Sequence, residues 1–377
     1  GRLETGYKLR YRFEDEKYTY YLGTTPEDVV LDTNRNEYSQ YTDIVNAAYL
    51  IYSNTIKEKF KYQLGVRAEL AKNISKLQSD PEVFSPRPYF NVFPTIHLRY
   101  DFNDKHSLQL SYSMRVRRPR GRELNPFIND EDRLNISQGN RKLKPEYTQS
   151  LDLGYLYAYK KTSVSANVFY RYRYNIISRY TILINDSTTY TTFENLDNSH
   201  SYGLELSYQQ GLWKFWNLTL NTSMYQSFVN ADSLYDESLR RDLVWQVRWN
   251  NNFSLPLDFQ LQLSANYRSP TLTLNSMGHE SGGAGQGRMS AMWNVDFGIK
   301  KSFLKKSLSI SLRVSDIFNS RQARVYSYGT TSKSAYESQM IRFRDSRQFW
   351  LTLTYNFSTM KSKMQTKRRV VEEDYED

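Results

Sequence analysis

Apolar and polar residues alternate with a period of two along most of this chain. From residue 107 to 117 the alternation is unbroken: Leu108, Leu110, Tyr112, Met114 and Val116 share one face, and Gln109, Ser111, Ser113, Arg115 and Arg117 the other. Just upstream, Ile96, Leu98, Tyr100 and Phe102 alternate with Thr95, His97, Arg99 and Asp101, and the polar turn Asn103-Asp104-Lys105-His106 joins the two runs. Period two marks a strand whose faces meet different surroundings, so this pair predicts a hairpin. The pattern recurs in Leu3, Thr5, Tyr7, Leu9, Tyr11 and Phe13, in the run from Val164 to Tyr174, in Phe259 to Arg268 and in Leu308 to Ser315. Soluble sandwich strands are usually about 5–6 residues long. These runs reach the roughly 9–11 residues that a tilted strand needs to cross a bilayer.

The connections sort by length. Short turns fall near residues 54–58, 103–106, 160–162, 211–213, 255–258 and 302–306. Long polar loops fall near 15–37, 77–87, 119–145, 178–199, 231–240, 275–287 and 320–346. Outer-membrane barrels carry short periplasmic turns on one rim and long extracellular loops on the other, whereas a soluble β protein has no reason to sort its loops by parity. The prediction is an all-β chain, a transmembrane antiparallel β-barrel of about 14 strands, an even number as such barrels require. The last strand, residues 347–357, carries Phe349, Leu351, Leu353, Tyr355 and Phe357 on the lipid parity. Residues 358–377 show neither alternation nor a helical stripe, only Lys367-Arg368-Arg369 and then an acidic end. The expected organisation is a barrel over 1–357 and a flexible periplasmic tail over 358–377.

Composition fits this picture. Aromatic residues reach 15 %, with 32 Tyr, and charged residues stay at 24 %. Tyrosine suits a membrane barrel because its ring sits in lipid while its hydroxyl reaches the headgroups. The mean hydropathy of −0.71 is that of a polar chain. No apolar run approaches the roughly 18 residues of a transmembrane helix, which excludes a helical membrane protein but not a barrel. The absence of cysteine excludes disulfides and thiolate metal sites. The chain opens directly on a strand, so a signal sequence is expected to have been removed or to lie upstream. The net charge of +11 raises nucleic-acid binding. Yet Lys and Arg are spread over every segment rather than gathered into a stripe, so no nucleic-acid partner is expected.

One stretch carries more than periodicity. It runs Arg117-Arg118-Pro119, Leu124-Asn125-Pro126-Phe127, then Gly139-Asn140-Arg141-Lys142-Leu143-Lys144-Pro145-Glu146, and re-enters a strand at Leu151-Asp152-Leu153-Gly154-Tyr155. It resembles the barrel of TonB-dependent outer-membrane receptors, in the branch of outer-membrane β-barrel family proteins. There an Arg-Pro strand end passes through an LNPF-like loop and returns as GNxxLKPE. Arg141 departs from that pattern, which often has proline there. Asp316-Ile317-Phe318-Asn319 resembles the strand end before the last strand of such receptors, and Tyr355-Asn356-Phe357 their terminal aromatic signal. The charged tail departs again, since these barrels commonly end near that aromatic.

The resemblance implies a C-terminal part of a barrel of about 22 strands. The N-terminal plug and TonB box are not recognisable here. It implies uptake of a scarce substrate powered through TonB, which pulls on the plug, with outer-membrane lipid, lipopolysaccharide and in some cases a surface lipoprotein as partners. From the residues alone, Pro119, Pro126 and Pro145 end strand pairing, and Gly139-Asn140 can take the positive-φ geometry of a turn. Arg118, Asn125, Phe127 and Leu143 complete this motif loop. It either only folds the largest loop in place or also shapes an external vestibule.

Candidate chemistry is sparse. Arg115, Arg117, Arg171, Arg173, Arg248 and Arg268 share the inward parity and form the candidate ligand-binding set, able to attract an anion or to hold acidic groups of a plug. His97, His106, His200 and His279 stand singly without ligand spacing, so neither a metal nor another cofactor is expected. The run Gly282-Gly283-Ala284-Gly285-Gln286-Gly287 lacks the Gly-Lys-Ser/Thr ending of a phosphate loop and reads as a mobile extracellular loop. Asp130-Glu131-Asp132 reads as a solvated acidic loop rather than a calcium site. No nucleophile, base and orienter come together, so an enzyme is the last choice. Two rivals stay open beside the receptor: a complete passive channel of about 14 strands, and a surface-binding barrel that transports nothing.

Overall fold

The structure, a computed structural model, describes residues 1–377 except 26, 79–83, 85–87, 186, 231–238, 273–286, 331–334, 343–345 and 358–377. In chain order the elements are β1 (Arg2–Leu22), β2 (Val30–Ile56), β3 (Phe60–Leu77), β4 (Tyr89–Asn103), β5 (His106–Arg117), a helical turn α1 (Gly121–Leu124), β6 (Ile128–Asn129) and β7 (Asn135–Gln138). Then follow β8 (Glu146–Tyr159), β9 (Thr162–Leu183), β10 (Thr189–Leu212), β11 (Trp216–Asn230), β12 (Leu239–Leu255), β13 (Phe259–Arg268), β14 (Thr271–Leu272) and β15 (Gly287–Met289). The chain ends with β16 (Met292–Phe303), β17 (Leu308–Ser315), β18 (Ala323–Thr330), β19 (Ala335–Arg342) and β20 (Gln348–Tyr355).

Fourteen of these strands make one antiparallel sheet in the order β1-β2-β3-β4-β5-β8-β9-β10-β11-β12-β13-β16-β17-β20. The short strands lie in the long connections. β6 and β7 attach to the upper part of β10, while β14, β15, β18 and β19 form a separate four-stranded sheet. Short and long connections alternate as expected. The short ones need no glycine: Lys57 (φ 48°), Glu58 (φ 59°), Lys160 (φ 53°), Trp213 (φ 56°), Leu257 (φ 60°) and Asp258 (φ 57°) take the left-handed region instead. Tight hairpin turns need that region to match the twist of the flanking strands.

Two expected loops are strands. Residues 15–37 and 178–199 continue the ladder, with β1 reaching Leu22 before β2 starts at Val30, and β9 reaching Leu183 before β10 starts at Thr189. Their polar character suggests loops because lipid no longer faces them. The pairs Glu16↔Ser39 and Lys17↔Tyr38 nevertheless keep the backbone bonded. The loops expected at 119–145 and 320–346 also contain short strands, and residues 231–238 and 275–286 lie outside the described residues.

Among the described residues β1 pairs only with β2, and β20 only with β17. The pairing of first and last strands that a self-contained barrel needs is therefore not made. Every residue of β20 is exposed. The expected tail, 358–377, lies outside the described residues.

Candidate functional site

The two faces of the sheet have opposite chemistry. On one, Val168 is 55 % exposed and Leu206 42 %, with Leu151, Leu153 and Leu204 beside them. Apolar side chains left this exposed in register across neighbouring strands face lipid, not water. Aromatic pairs edge this band. Trp213 stacks with Phe215 and Trp216 at one rim; Tyr170 and Tyr172 pack against His200, and Trp245 against Tyr267, at the other. On β10 the two edges are marked by Tyr208 and His200, about 27 Å of strand apart, close to the apolar band of an outer-membrane barrel. The opposite face carries Gln109, Ser111, Asp152, Asn167, Glu205 and Arg248 and lines the lumen.

The motif loop does not lie over the rim. Residues 118–145 turn inward and form a strap across the lumen. Leu124 and Leu143 bury themselves against Tyr41, an inner-face residue of β2, with Ile177 of β9 and Phe193 of β10 packed against them. Asn125 donates its Nδ2 to Glu16 of β1 (2.9 Å), and Phe127 stacks on Tyr18 at 4.2 Å. Asn140 donates its Nδ2 to the Phe193 carbonyl (2.9 Å), and Lys144 its backbone N–H to Asn195 Oδ1 (2.8 Å). Seven strand spacings separate β1 from β10, about 34 Å of flat sheet. A strap that touches both must be a chord across a curled wall.

Carboxylates fix the strap. Glu123, in α1, accepts from Arg117 Nη2 (2.5 Å) and from the Arg120 backbone N–H (2.9 Å). Glu146 accepts from Arg117 Nη1 (3.5 Å) and from the Ile177 backbone N–H (3.2 Å). Arg118 pairs with Glu69 and donates to the Tyr89 hydroxyl (2.9 Å), and Arg67 reaches the same Glu69 at 2.6 Å. Pro119 accepts from the Tyr41 hydroxyl (3.4 Å), Pro126 accepts from Gln138, and Pro145 leads into β8. The expectation for Gly139 is corrected: no described glycine has positive φ. Glycine is required because its backbone is pressed against α1, donating N–H to the Asn125 carbonyl at 2.8 Å. A Cβ there would run into that carbonyl oxygen and lie 2.8 Å from Asn125 N and Glu123 O.

The six inward arginines separate into groups. Arg117 belongs to the strap. Arg248 donates to Asn266 Oδ1 (3.0 Å) and Arg268 to the Met289 sulfur, and both line a depression of about 460 Å³ with Asn221 and Asn294. Arg115 and Arg171 are exposed on the lumen face, the latter with its guanidinium 4.5 Å from the Phe169 ring centre. Arg173 is 8 % exposed and donates its Nε to Ser199 Oγ (3.2 Å). The register brings Arg115, Arg171 and Arg173 together and leaves Arg248 and Arg268 elsewhere on the wall. Sequence reasoning did not single out Glu69, Glu123 or Tyr41. The available signal was an acidic residue on the inward parity wherever arginines gather.

Asp316 organises the other motif. At φ 45° it ends β17, and its Oδ1 accepts from Ser320 N–H (3.0 Å) and Oγ (2.9 Å) while Oδ2 accepts from Arg321 N–H (2.9 Å) and Ser346 Oγ (2.6 Å). Both ends of the last long connection are thus tied to one buried carboxylate. Burial raises this carboxyl's pKa, but the donors of Ser346, Ser320 and Arg321 outweigh it and hold the group below the usual carboxylate range.

His97 lines a second depression, about 620 Å³, with Arg99, Gln109, Asp152 and Asn167. His106 opens β5 rather than sitting in the turn, and its Nδ1 meets the Tyr155 hydroxyl at 2.5 Å. His279 and Gly282 to Gln286 lie outside the described residues.

A lipid-facing band between aromatic edges, a polar lumen and loops sorted by length define the wall of a transmembrane β-barrel. The chain belongs to the outer membrane protein beta-barrel family, whose sequence profile matches residues 1–355, and this places it in the bacterial outer membrane. Among solved structures it is similar to the copper transporter OprC (TM-score 0.66, 15 % identity, 94 % of this chain and 54 % of that one). It is also similar to the ferric yersiniabactin uptake receptor FyuA from Yersinia pestis (TM-score 0.60, 16 %, 90 % and 49 %) and to the ferric citrate transporter FecA (TM-score 0.59, 14 %, 90 % and 50 %). The chain spans about half the length of these structures. At such identities the likeness concerns the fold. No curated protein sequence matches the chain.

Proposed function

We propose that this chain is the C-terminal wall of an outer-membrane receptor that takes up a scarce substrate with energy delivered through TonB. The observation that carries the reading is the open fourteen-stranded sheet, whose first and last strands each pair on one side only among the described residues, together with a length about half that of transporters of the same fold. On this reading further strands and a plug complete the barrel, TonB acts on that plug, and residues 358–377 extend into the periplasm. The strap narrows the mouth, and the inner wall below it meets the substrate.

The test is accumulation of copper and of ferric chelates by cells carrying or lacking the whole gene, with and without a proton uncoupler. Uptake that needs the gene and stops with the uncoupler is expected. Uptake that needs the gene but ignores the uncoupler would make the protein a passive channel. Sequencing upstream of the codon for Gly1 provides an independent check, through the presence or absence of a plug in the same reading frame.

A further inference from the structure

We propose that Arg115, Arg171 and Arg173 form a site on the lumen wall for a small ligand carrying two or more carboxylate or phosphate groups. Arg115 faces Thr148, and Thr148 faces Arg173, so the two arginines share one lateral row two strands apart, about 10 Å between their backbones. Arg171 lies two residues along β9 from Arg173, about 7 Å away. Three guanidinium groups on one face at this spacing suit an anion with more than one charged group, because each fork can take a carboxylate or phosphate edge.

The three differ from other arginines of the same inner face. Arg10 holds Asp43, Arg67 holds Glu69, Arg99 holds Asp101 and Arg117 holds Glu123. No described carboxylate lies within ion-pair range of Arg115, Arg171 or Arg173. Arg173 is the most telling: it is only 8 % exposed, and its Nε donates to the Ser199 hydroxyl. The charge that favours it, Glu146, makes no ion pair with it and is already bonded by Arg117 and the Ile177 N–H. Burying a guanidinium whose nearby carboxylate is committed elsewhere is costly, so the position suits a group that receives a further partner from a ligand.

Two carboxylates flank the site. Glu146 is already engaged by Arg117 and the Ile177 N–H, and Asp152 accepts from Asn167 (3.2 Å). Ser113, Ser150 and Ser201 share the rows of Arg171 and supply hydroxyl donors of the kind phosphate oxygens accept.

The biological role of this site rests on the uptake reading, but binding itself does not need energy coupling. The experiment is calorimetric titration of the purified full-length protein in detergent with inorganic tripolyphosphate, and separately with citrate. One saturable site for at least one probe is expected, weakened by added salt as paired charges are screened. The double variant Arg115→Gln/Arg171→Gln should bind at least tenfold more weakly, and Arg313→Gln, on β17 outside the site, should bind as wild type does. Folding of each variant is checked by its heat-modifiable electrophoretic mobility. Arg173→Met should lose binding yet raise the ligand-free melting temperature, whereas a purely structural arginine would lower it.

Wild-type affinity in the double variant overturns the proposal. So does the absence of saturable binding to both probes, as when carboxylates of a lumen-filling protein segment already hold the three arginines. Loss of energised uptake in cells with binding intact would contradict the transport reading alone.

Discussion

Arg115 and Arg117 lie two residues apart on one face of β5, and the wall changes character between them. At Arg117 the lumen is filled: two carboxylates, a helical turn and an apolar cluster hold the strap. At Arg115 the wall carries no such clamp: Arg115 and Arg171 are exposed, Arg173 is buried, and none of the three lies within ion-pair range of a described carboxylate. One alternating strand thus serves two purposes. Towards the outside its inward side chains are tertiary anchors; further in they face whatever enters the lumen. Inward parity alone does not distinguish these roles, but the nearest acidic side chain does.

The strap is most easily disrupted at Gly139. Gly139→Ala must push the strap away from backbone atoms rather than from a movable side chain. Overpacking of this kind costs about 3 kcal/mol and should appear as rapid proteolysis within 118–145 while the barrel stays heat-modifiable. Leu143→Ala removes a buried side chain from the cluster that spans β2, β9 and β10. A loss of roughly 2–3 kcal/mol is expected in urea unfolding from lipid vesicles. Glu123→Gln leaves the partly exposed Arg117 with a weaker acceptor, so about 1–2 kcal/mol is expected, again with a looser strap.

Asp316 makes the last long connection sensitive to pH. Its pKa in the folded protein is depressed, so the stability it contributes is fully present above the ordinary carboxylate pKa, about 4, and is lost as pH falls through the lower folded value. Thermal midpoints of wild type should therefore drop below pH 4 by more than those of Asp316→Asn, while the variant is less stable at neutral pH. The smallest effect is expected at the periplasmic rim. Lys160→Gly relieves a left-handed non-glycine residue and should raise stability by about 0.5 kcal/mol, with the strap's protease sensitivity unchanged.

Much of the fold was legible because lipid and lumen impose opposite demands on alternate residues. Strand identity, parity and the sorting of connections follow directly from that rule, as in Leu108 to Val116. The rule ends where lipid ends. Above the apolar band Glu16, Lys17 and Tyr38 still pair as strand, but both faces are polar and the alternation disappears. The motif loop was recognisable, and its prolines mark its ends, but its inward course was not. That course depends on contacts such as Leu124 and Leu143 with Tyr41, about a hundred residues away for Leu143, and no local pattern encodes them. Gly139 shows the same limit: the residue type signalled a constraint, and only the packing identifies it as a close approach rather than a left-handed turn.

The measurement that tests this division most directly is a spin-label distance between strap and wall, which the cysteine-free chain makes straightforward. Labels at Glu131→Cys on the strap and Asp104→Cys in a periplasmic turn should give one narrow distribution, unchanged by tripolyphosphate. A broad or multimodal distribution, or one that shifts when the anion is added, would contradict the account by making the strap a moving lid.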